Sequence, residues 1–568
     1  MRPGLTGAWP DRFFRLFTAS KEEGGRASLV FWFSLGLVCA LLFSIRGIDG
    51  ALAERYIIQD DARQHVFWMQ RFTDPELFPG DLIANYYEAV APSGYTAFYR
   101  VGAAAGIDPI RLSKLVPILL GLITTAYCFG FTLQLLPVPF AAFLSSLLLN
   151  QALWSRDDIV SATARAFLYP LFLAFLYYLA RRKLIPCLVA VILQALFYPS
   201  IAFVSAGVLG LGLIAWRGKR PIINRDRFAL WLCAAGLIAI GVVLAFYAAK
   251  SSGFGEVIRA SQARQMPEFY AGGRVSFFRD DHLFYWTRGA YSGLLPGHIP
   301  ELLFAAALFP FLFVFKSRLP LLTKTSKLSL LAQVTISSFV LFFAAHALLF
   351  RLYLPSRYTQ HTFRIVLCVV AAITLVVALD GMRRIHSRAI IGIPITAALV
   401  VVLVITSISL PDIPQRRFRV GKGAAFYDFL AAQPKDVMIA TLDDESDNIP
   451  SFSARSVLVA REYALPYHLG YYGQMRERAV DLINAQYSRD LSEVKRFIEK
   501  HGVDLIVVDK KAFEPAYAKR NRLIQQFVPE LAARDDLAAS ALSRVMKECA
   551  VFETESLVVV DAACISRK

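Results

Sequence analysis

The segment around which the rest of the chain is arranged reads Glu54-Arg55-Tyr56-Ile57-Ile58-Gln59-Asp60-Asp61-Ala62-Arg63-Gln64-His65. It belongs to a polar stretch, residues 46–112, that separates two long apolar runs. Two membrane helices can be joined by far fewer residues, and long loops in compact proteins are usually functional. Its adjacent carboxylates, with a guanidinium and an imidazole nearby, could form a reaction centre or could cap a helix in a solvated loop.

Apolar runs dominate the remainder of the chain. Of its 568 residues, 56% are hydrophobic, and runs of about 17–25 apolar residues are typical of transmembrane helices. The runs lie at residues 27–45, 113–133, 137–153, 161–180, 184–198, 199–216, 228–249, 298–315, 328–350, 362–380 and 389–408. The sequence therefore predicts a polytopic α-helical membrane bundle of about 11 transmembrane helices within residues 27–410. Residues 1–26 are expected to form a cytoplasmic segment, followed by an uncleaved anchor.

Lysine and arginine give the chain a formal net charge of +17, but these residues are concentrated at the ends of the apolar runs. The clusters read Arg181-Arg182-Lys183, Arg217-Gly218-Lys219-Arg220, Lys316 to Lys327 and Arg383-Arg384. Cytoplasmic loops carry such an excess of basic residues, so we interpret the charge as a sign of topology and exclude a nucleic-acid partner. A cytoplasmic N-terminus then puts the long loops 46–112 and 250–297 on the outer face of a bacterial inner (plasma) membrane.

Residues 411–568 have the composition of a soluble α/β domain, which the same topology puts in the periplasm or the extracellular space. Helices are predicted at 424–432 and 492–501, and strands at 437–440, 457–459, 505–508, 551–552 and 557–560. Cys549 and Cys564 could form a disulfide across a strand pair in that compartment. The acidic run at 443–448 lacks the glycine and the terminal glutamate of a calcium-binding loop, and we interpret it as a solvated turn.

Two acidic pairs are candidates for chemistry. Asp60-Asp61 lies in the first outer loop, and Asp157-Asp158 follows the third apolar run in the next outer loop. A carboxylate of the first pair could take the proton of an acceptor hydroxyl as a general base, and the second pair could supply a second acid. Asp61, Asp157 and Asp158 could together hold Mg²⁺ or Mn²⁺. The alternative for both pairs is helix capping, because acidic side chains suit a helix N-terminus.

Basic residues near the acidic pairs are candidates for binding a phosphate. Arg165 is expected about two turns inside the fourth span, where a charge is costly and usually functional. If a helix begins near Pro355, then Arg357, His361 and Arg364 share one of its faces, and guanidinium groups bind phosphate bidentately. These three residues could instead anchor the helix at the lipid headgroups.

Arg63 and His65, beside the first acidic pair, are further candidates for binding the substrate or its phosphate. The weakest candidate is Arg279-Asp280-Asp281-His282 in the loop 250–297. That loop is rich in aromatic residues and could cover a substrate groove, although an amphipathic re-entrant segment is the simpler interpretation.

An acidic pair after the first helix, a second pair in the next outer loop, many spans and an external α/β domain together resemble the GT-C superfamily of polytopic membrane glycosyltransferases. The residues that carry the resemblance are Asp60-Asp61, Asp157-Asp158 and Leu354-Pro355-Ser356-Arg357-Tyr358. The resemblance implies that the first pair supplies the base, that the second pair assists it or binds a metal, and that basic residues contact the phosphate of the donor. The basic residues concerned are Arg165, Arg357 and His361.

The resemblance implies an enzyme that moves a sugar from an isoprenoid-phosphate donor to a lipid, glycan or protein acceptor at the outer face of the membrane. The C-terminal region has no Trp-Trp-Asp motif, which argues against transfer to protein asparagine. Two alternatives stay open. A lipid-linked glycan polymerase or ligase would use the same arginines with a pyrophosphate donor, and a non-catalytic assembly or transport subunit would keep the bundle without the chemistry.

Overall fold

The computed structural model describes residues 15–383 and 418–568, apart from residues 53, 218–219, 298–300 and 535. Within these residues, five helices are long and apolar enough to cross a membrane: Lys21–Ile48, Pro109–Leu135, Arg227–Phe246, Ser329–Ala347 and Ser356–Gly381. Shorter apolar helices occupy Ala164–Ala180, Leu184–Phe197 and Pro199–Gly212. The protein is therefore a multi-pass membrane protein, and the span predicted at 389–408 lies outside the described residues.

The helix Pro139–Trp154 is the centre of the bundle, because every one of its residues is buried. It packs against the helices Lys21–Ile48, Pro109–Leu135 and Ser356–Arg383, as a helix that is apolar on all sides requires. Its Asn150 amide donates a hydrogen bond to the Thr125 hydroxyl at 2.8 Å. The helix ends directly before Ser155, so it delivers the second acidic pair to one end of the bundle.

Two apolar regions do not form a single continuous helix. The apolar region 184–216 is divided at Tyr198, whose φ of −149° and ψ of 85° end one helix before Pro199 begins the next. A residue before proline is disfavoured in the helical conformation, which confirms the predicted break. The run 298–315 forms only short pieces where it is described, Glu301–Leu308 and Phe309–Leu312, because Pro310 cannot donate a backbone hydrogen bond inside a helix.

The first outer loop folds into a compact layer instead of an extended connection. It contains the strand Ile57–Gln59 and the helices Asp60–Val66, Leu82–Val90 and Ser93–Ala104. Aromatic side chains fill the space between them, with exposures of 2% or less at Phe67, Trp68, Tyr86, Tyr87, Tyr95 and Tyr99. The strand pairs antiparallel with Phe418–Val420, so the loop joins the C-terminal domain directly.

The C-terminal domain is an α/β domain, as predicted. Its sheet has five strands, in the order Ser456–Val457, Met438–Thr441, Leu505–Asp509, Leu557–Asp561 and Ala550–Glu553. The first three strands are parallel to one another, and Leu557–Asp561 is antiparallel to both of its neighbours. The longer helices are Ala424–Ala431, Leu469–Tyr487 and Leu491–His501, the last ending at Gly502 with a positive φ of 59°. Shorter helices are Ile449–Phe452, Pro515–Arg520, Arg522–Phe527, Ala541–Val545 and Ala562–Arg567.

The disulfide Cys549–Cys564 is present, with a Cα–Cα distance of 5.6 Å. Its position differs from the one expected, because neither cysteine lies within the strand pair. It joins the residue before the strand Ala550–Glu553 to the final helix, Ala562–Arg567, and so closes the edge of the sheet.

The loop 250–297 packs against the C-terminal domain through its backbone. The Ile258 amide donates to the Tyr467 carbonyl at 2.9 Å, and the Leu469 amide donates to the Glu256 carbonyl at 3.0 Å. A separate apolar cluster that includes Phe269, Phe277 and Phe350 lies beneath this pairing. The two long outer loops and the C-terminal domain therefore form one layer over the end of the bundle.

Candidate active site

The first acidic pair lies in the first turn of the helix Asp60–Val66. The cap of this helix is Gln59, whose side-chain oxygen accepts a hydrogen bond from the Ala62 amide at 2.9 Å. The carboxylates of Asp60 and Asp61 instead bind arginines that are distant in sequence. Capping therefore does not account for this pair.

Asp61 is linked to the second acidic pair by Arg165. Arg165 donates to the Asp61 carboxylate, and its guanidinium nitrogens lie 3.6 Å from Asp157 Oδ2 and 3.5 Å from Asp158 Oδ1. Arg165 was expected two turns inside a helix, but this expectation is wrong. It lies in the short 3-10 turn Ala164–Phe167 before the helix proper, where the chain can bring its guanidinium between the two outer loops.

Asp158 extends this group of charges to the helix Ser356–Arg383. Arg364 donates to Asp158 and, at 2.9 Å, to the Tyr169 hydroxyl. That hydroxyl donates to Asp158 at 3.1 Å and lies 2.8 Å from Nδ1 of His361. We call the following residues the Asp61 cluster: Asp61, Asp157, Asp158, Arg165 and Arg364.

Asp60 belongs to a different group of charges, although it is the neighbour of Asp61. Both of its carboxylate oxygens accept from Arg419, at 3.0 and 2.9 Å. Oδ1 also accepts from Arg63 at 2.8 Å. Arg63 in turn donates to Asn448 at 2.6 Å and lies 3.9 Å from Asp447 and 3.8 Å from Glu462. We call the following residues the Asp60 cluster: Asp60, Arg63, Arg419, Asp447 and Glu462.

The two carboxylates of the pair differ in acidity because their surroundings differ. Burial raises the pKa of Asp61 to about 6, an effect that the carboxylates of Asp157 and Asp60 add to and that Arg165 opposes. Burial also acts to raise the pKa of Asp60, but the hydrogen bonds from Arg419 and the charge of Arg63 outweigh it and lower that pKa. Asp61 also keeps 32% of its side chain exposed, so it lies in a crevice that water reaches.

Arg357 is the basic residue of the site that lacks an anionic partner. It lies at the start of the helix Ser356–Arg383, which begins directly after Pro355, and its guanidinium lies 6.0 Å from the centre of the Tyr291 ring. Its side chain has no ion pair or hydrogen bond with any residue that the structure describes. Arg357 lies one helical turn before His361, whose Nδ1 is 2.8 Å from the Tyr169 hydroxyl that donates to Asp158. The helix therefore brings this guanidinium to the same end of the bundle as the Asp61 cluster.

The two histidines singled out in the sequence carry little charge to the site. Burial lowers the pKa of His65 to about 4, and the charge of Arg165 adds to this effect, so its imidazole is neutral at neutral pH. His65 packs edge-on against the Tyr87 ring. His361 is 2% exposed, and its Nε2 has no hydrogen-bond partner among the described residues. Their predicted role as phosphate contacts stays a prediction.

The carboxylates expected to hold Mg²⁺ or Mn²⁺ do not fit a metal ion as they stand. Asp61, Asp157 and Asp158 all approach the guanidinium of Arg165, which fills the space where they would share a cation. Mg²⁺ needs oxygen ligands at about 2.0–2.1 Å in octahedral geometry. No group of three or more histidine, cysteine, aspartate or glutamate side chains in the described part of the chain could hold a metal ion.

The run at 443–448 was interpreted as a solvated turn, and this interpretation is wrong. Asp443, Glu445 and Asn448 are buried: Asn448 accepts from Arg63 of the first outer loop, whereas Glu445 accepts from Tyr427 and Asp443 from Lys422. Glu462, on the same face of the domain, accepts a hydrogen bond from Arg274 of the loop 250–297. No local sequence pattern identifies these partners, because they lie in segments that are distant along the chain.

The weakest candidate, residues 279–282, has a structural role in the described molecule. The Asp281 carboxylate accepts from the Phe284 amide at 2.9 Å and caps the helix His282–Thr287. Both acids of this segment are exposed. Asp281 therefore acts as a helix cap, and the interpretation of the loop as a re-entrant segment stays a prediction.

No protein-family model matches the sequence, and no curated protein matches it. Among solved structures, the chain is similar to the oligosaccharyltransferase of Archaeoglobus fulgidus tethered with an acceptor peptide, with a TM-score of 0.50 and 12% identity over 89% of this chain and 72% of that chain. A second structure, AglB of the same organism in complex with an inhibitory peptide and a dolichol-phosphate, gives a TM-score of 0.51 and 12% identity over 88% and 72% of the two chains.

The chain is also similar to ArnT from Cupriavidus metallidurans bound to undecaprenyl phosphate, with a TM-score of 0.46 and 14% identity over 94% of this chain and 98% of that chain. Identities this low reveal a common fold and nothing finer. At the level of the fold the expected resemblance is confirmed, because the chain shares its fold with the archaeal oligosaccharyltransferase structures.

Proposed function

We propose that the protein is a membrane glycosyltransferase that moves a sugar from an isoprenoid-phosphate donor to a hydroxyl of a lipid, glycan or protein acceptor. The observation that carries the proposal is the presence of two groups at the same end of the bundle. Asp61 is a partly exposed carboxylate with a pKa of about 6, and Arg357 is a guanidinium without an anionic partner among the residues that the structure describes. The first group suits a base and the second suits a phosphate.

Asp61 is the general base in this reaction. Its Oδ2 accepts from Arg165, and no described residue donates to its Oδ1, which is left for the acceptor. The acceptor oxygen forms a bond to the anomeric carbon while its proton passes to Oδ1. A base with a pKa near the working pH combines a large ionised fraction with useful proton affinity.

Arg357 stabilises the leaving group. The bond between the anomeric carbon and the phosphate oxygen breaks, and the isoprenoid phosphate leaves with the electron pair. A preorganised guanidinium stabilises the charge that develops there. Keeping an unpaired guanidinium partly buried is costly, so an anionic ligand accounts for its presence. The dolichol-phosphate held by the similar archaeal AglB supports a ligand of this class.

The charges also favour a monophosphate donor over the pyrophosphate donor of a lipid-linked glycan polymerase. The other arginines of the site, Arg165 and Arg364, are already paired with carboxylates, and so is Arg63. A pyrophosphate leaving group carries more charge and would need more unpaired cations than Arg357 alone. We further propose that the site faces the periplasm of a bacterial inner membrane, because the basic clusters of the sequence are expected in the cytoplasm.

The test is a release assay with the purified full-length protein in lipid nanodiscs. A panel of synthetic isoprenoid-phosphate sugars is offered, and the released lipid is identified by mass spectrometry as monophosphate or pyrophosphate. Arg357→Gln should raise the KM for the active donor by roughly 10–100-fold, as expected for a lost charge-assisted contact. Arg351→Gln, an exposed arginine of the same segment, is the matched control and should leave the KM unchanged. Equal KM values for the two variants, or release of pyrophosphate, would contradict the proposal.

A further inference from the structure

Arg165 has surroundings that are unusual for an arginine. Asp61 comes from the first outer loop, and Asp157 and Asp158 come from the second. All three carboxylates approach the same guanidinium, one through a direct hydrogen bond and the others at 3.6 and 3.5 Å. Its side chain is only 14% exposed. Several carboxylates from separate loops that converge on one buried point are the arrangement by which proteins hold a hard divalent cation.

We infer that Arg165 takes the place of a divalent cation as the fixed positive centre that joins the two acidic loops and positions Asp61, so that sugar transfer needs no metal ion. The effect on transfer rests on the proposed function. The effect on metal binding does not, because it concerns only the carboxylates and the guanidinium.

The geometry makes the guanidinium and a metal ion mutually exclusive. The planar guanidinium lies between the carboxylates, and oxygens that contact its nitrogens cannot also approach a common centre at the 2.0–2.1 Å or so that Mg²⁺ requires. Unlike a metal, the guanidinium is covalently tethered, and it does not lose its charge at any physiological pH. The positive centre is therefore present in every molecule, whatever the supply of metal.

Arg165 acts on the reaction through Asp61 and is therefore a positioning residue. Its hydrogen bond fixes Oδ2 of Asp61 and so determines where Oδ1 lies. Its charge also opposes the effect of burial on the pKa of that carboxyl group. Loss of the guanidinium should misplace the base, for which a loss of about 100-fold in kcat is typical, and should move the acid limb of the pH–rate profile to higher pH.

Removal of the guanidinium should also leave a vacant cation site. In Arg165→Ala, the three carboxylates face an open space, and Arg364, which donates to Asp158, remains as the nearest positive charge. Carboxylate oxygens are the ligands that Mn²⁺ and Mg²⁺ prefer. This variant is therefore expected to gain a binding site for Mn²⁺ that the wild-type protein lacks.

The experiment compares the wild-type protein with three variants, all full-length and stripped with EDTA. Mn²⁺ binding is measured by electron paramagnetic resonance of the free ion, and folding is checked by the thermal unfolding transition. Arg165→Ala should bind one Mn²⁺, whereas the wild type and Arg165→Lys, which keeps the charge, should bind none at this site. The matched control is Arg274→Ala, which removes a guanidinium that is 13% exposed and paired with the single carboxylate of Glu462, and it should gain no site.

Transfer is then measured with and without EDTA once the donor is known. The inference is supported if the wild type keeps its full rate in EDTA and if Mn²⁺ restores part of the rate of Arg165→Ala. It is overturned if EDTA abolishes wild-type transfer and Mn²⁺ restores it, or if folded Arg165→Ala gains no Mn²⁺ site. If Arg165→Ala does not fold, the wild type and Arg165→Lys decide the question by their response to EDTA. A gained Mn²⁺ site in a protein without transfer activity would contradict the proposed function and leave this inference standing.

Discussion

Asp60 and Asp61 are adjacent in sequence and lie in one turn of one helix, yet they belong to two clusters of charges with different properties. The Asp61 cluster joins the two outer loops at the end of the membrane bundle. The Asp60 cluster joins the first outer loop to the C-terminal domain. Neighbouring side chains on a helix point about 100° apart, so each carboxylate meets its own set of partners. The partners, more than the residue type, determine why the pKa of Asp61 is raised and that of Asp60 is lowered.

The largest difference between the clusters is expected in the rate of transfer. Asp61→Asn keeps the shape of the side chain but removes the base, which typically lowers kcat by about 10²–10⁴-fold. Asp60→Asn is the matched control, and its loss should be much smaller, because that carboxylate does not contact the acceptor. The measurement is the release of isoprenoid phosphate under single-turnover conditions. A larger loss for Asp60→Asn than for Asp61→Asn would reverse the two roles.

The second difference is expected in stability. Arg63→Met removes a guanidinium that is 6% exposed and leaves Asp447 and Glu462 without their shared partner. Breaking a buried ion pair on one side typically costs about 3–5 kcal/mol, so the thermal unfolding transition should fall clearly. Arg55→Met is the control, since Arg55 also links the loop to the C-terminal domain through Asp428 but is 73% exposed.

Exposed ion pairs contribute at most about 1 kcal/mol, so Arg55→Met should hardly move the unfolding transition. Similar shifts for the two variants would show that the Asp60 cluster does not hold the C-terminal domain on the bundle.

The disulfide at the other edge of the sheet provides a comparison for both clusters, because its removal should affect stability and leave the transfer rate unchanged. Cys549–Cys564 adjoins the strand Ala550–Glu553, at the opposite edge from Ser456–Val457. Replacing both cysteines by serine should destabilise the C-terminal domain by about 2–4 kcal/mol, the usual contribution of a disulfide. The transfer rate below the unfolding transition should stay unchanged. A loss of rate at a temperature where the variant is folded would mean that the sheet edge influences the site.

The smallest expected effect is a shift in pH dependence. Asp61 acts as a base only when ionised, so the wild-type rate should fall as the pH drops through about 6, the pKa of that carboxyl group. The charge of Asp60 raises this pKa. Asp60→Asn should therefore move the acid limb to lower pH by a fraction of a unit, whereas an unchanged or higher midpoint would mean that the two clusters are electrically independent. The profile of kcat against pH measures this coupling.

Much of the fold could be predicted from the sequence, because the patterns concerned are local. Apolar runs with basic ends specify membrane helices without reference to the rest of the chain, and Pro355 and Pro199 mark helix starts by their own geometry. The strands of the C-terminal domain could also be predicted, because each one is a short apolar run that can be recognised locally. The prediction of a continuous helix at 298–315 was wrong, because hydropathy alone does not take account of Pro310 inside the apolar run.

The site was predictable only in its residue types. Adjacent acids and outer-face arginines are visible in the sequence, but their pairing is not. The contact between Arg63 and Asn448 joins residues that are 385 positions apart, and nothing near either residue announces the other. For the same reason, the acidic run at 443–448 could not be recognised as buried, since its partner lies in the first outer loop.

The sequence by itself determined that this is a multi-pass membrane protein with a C-terminal α/β domain and two acidic pairs, since hydropathy and strand patterns act over one helix or strand at a time. Only the tertiary structure decided which carboxylate of the first pair has a raised pKa and which guanidiniums are already paired with carboxylates. The physical reason is that burial and ion pairing are properties of the surroundings. Asp61 and Arg357 acquire theirs from loops and helices that come together only when the chain has folded.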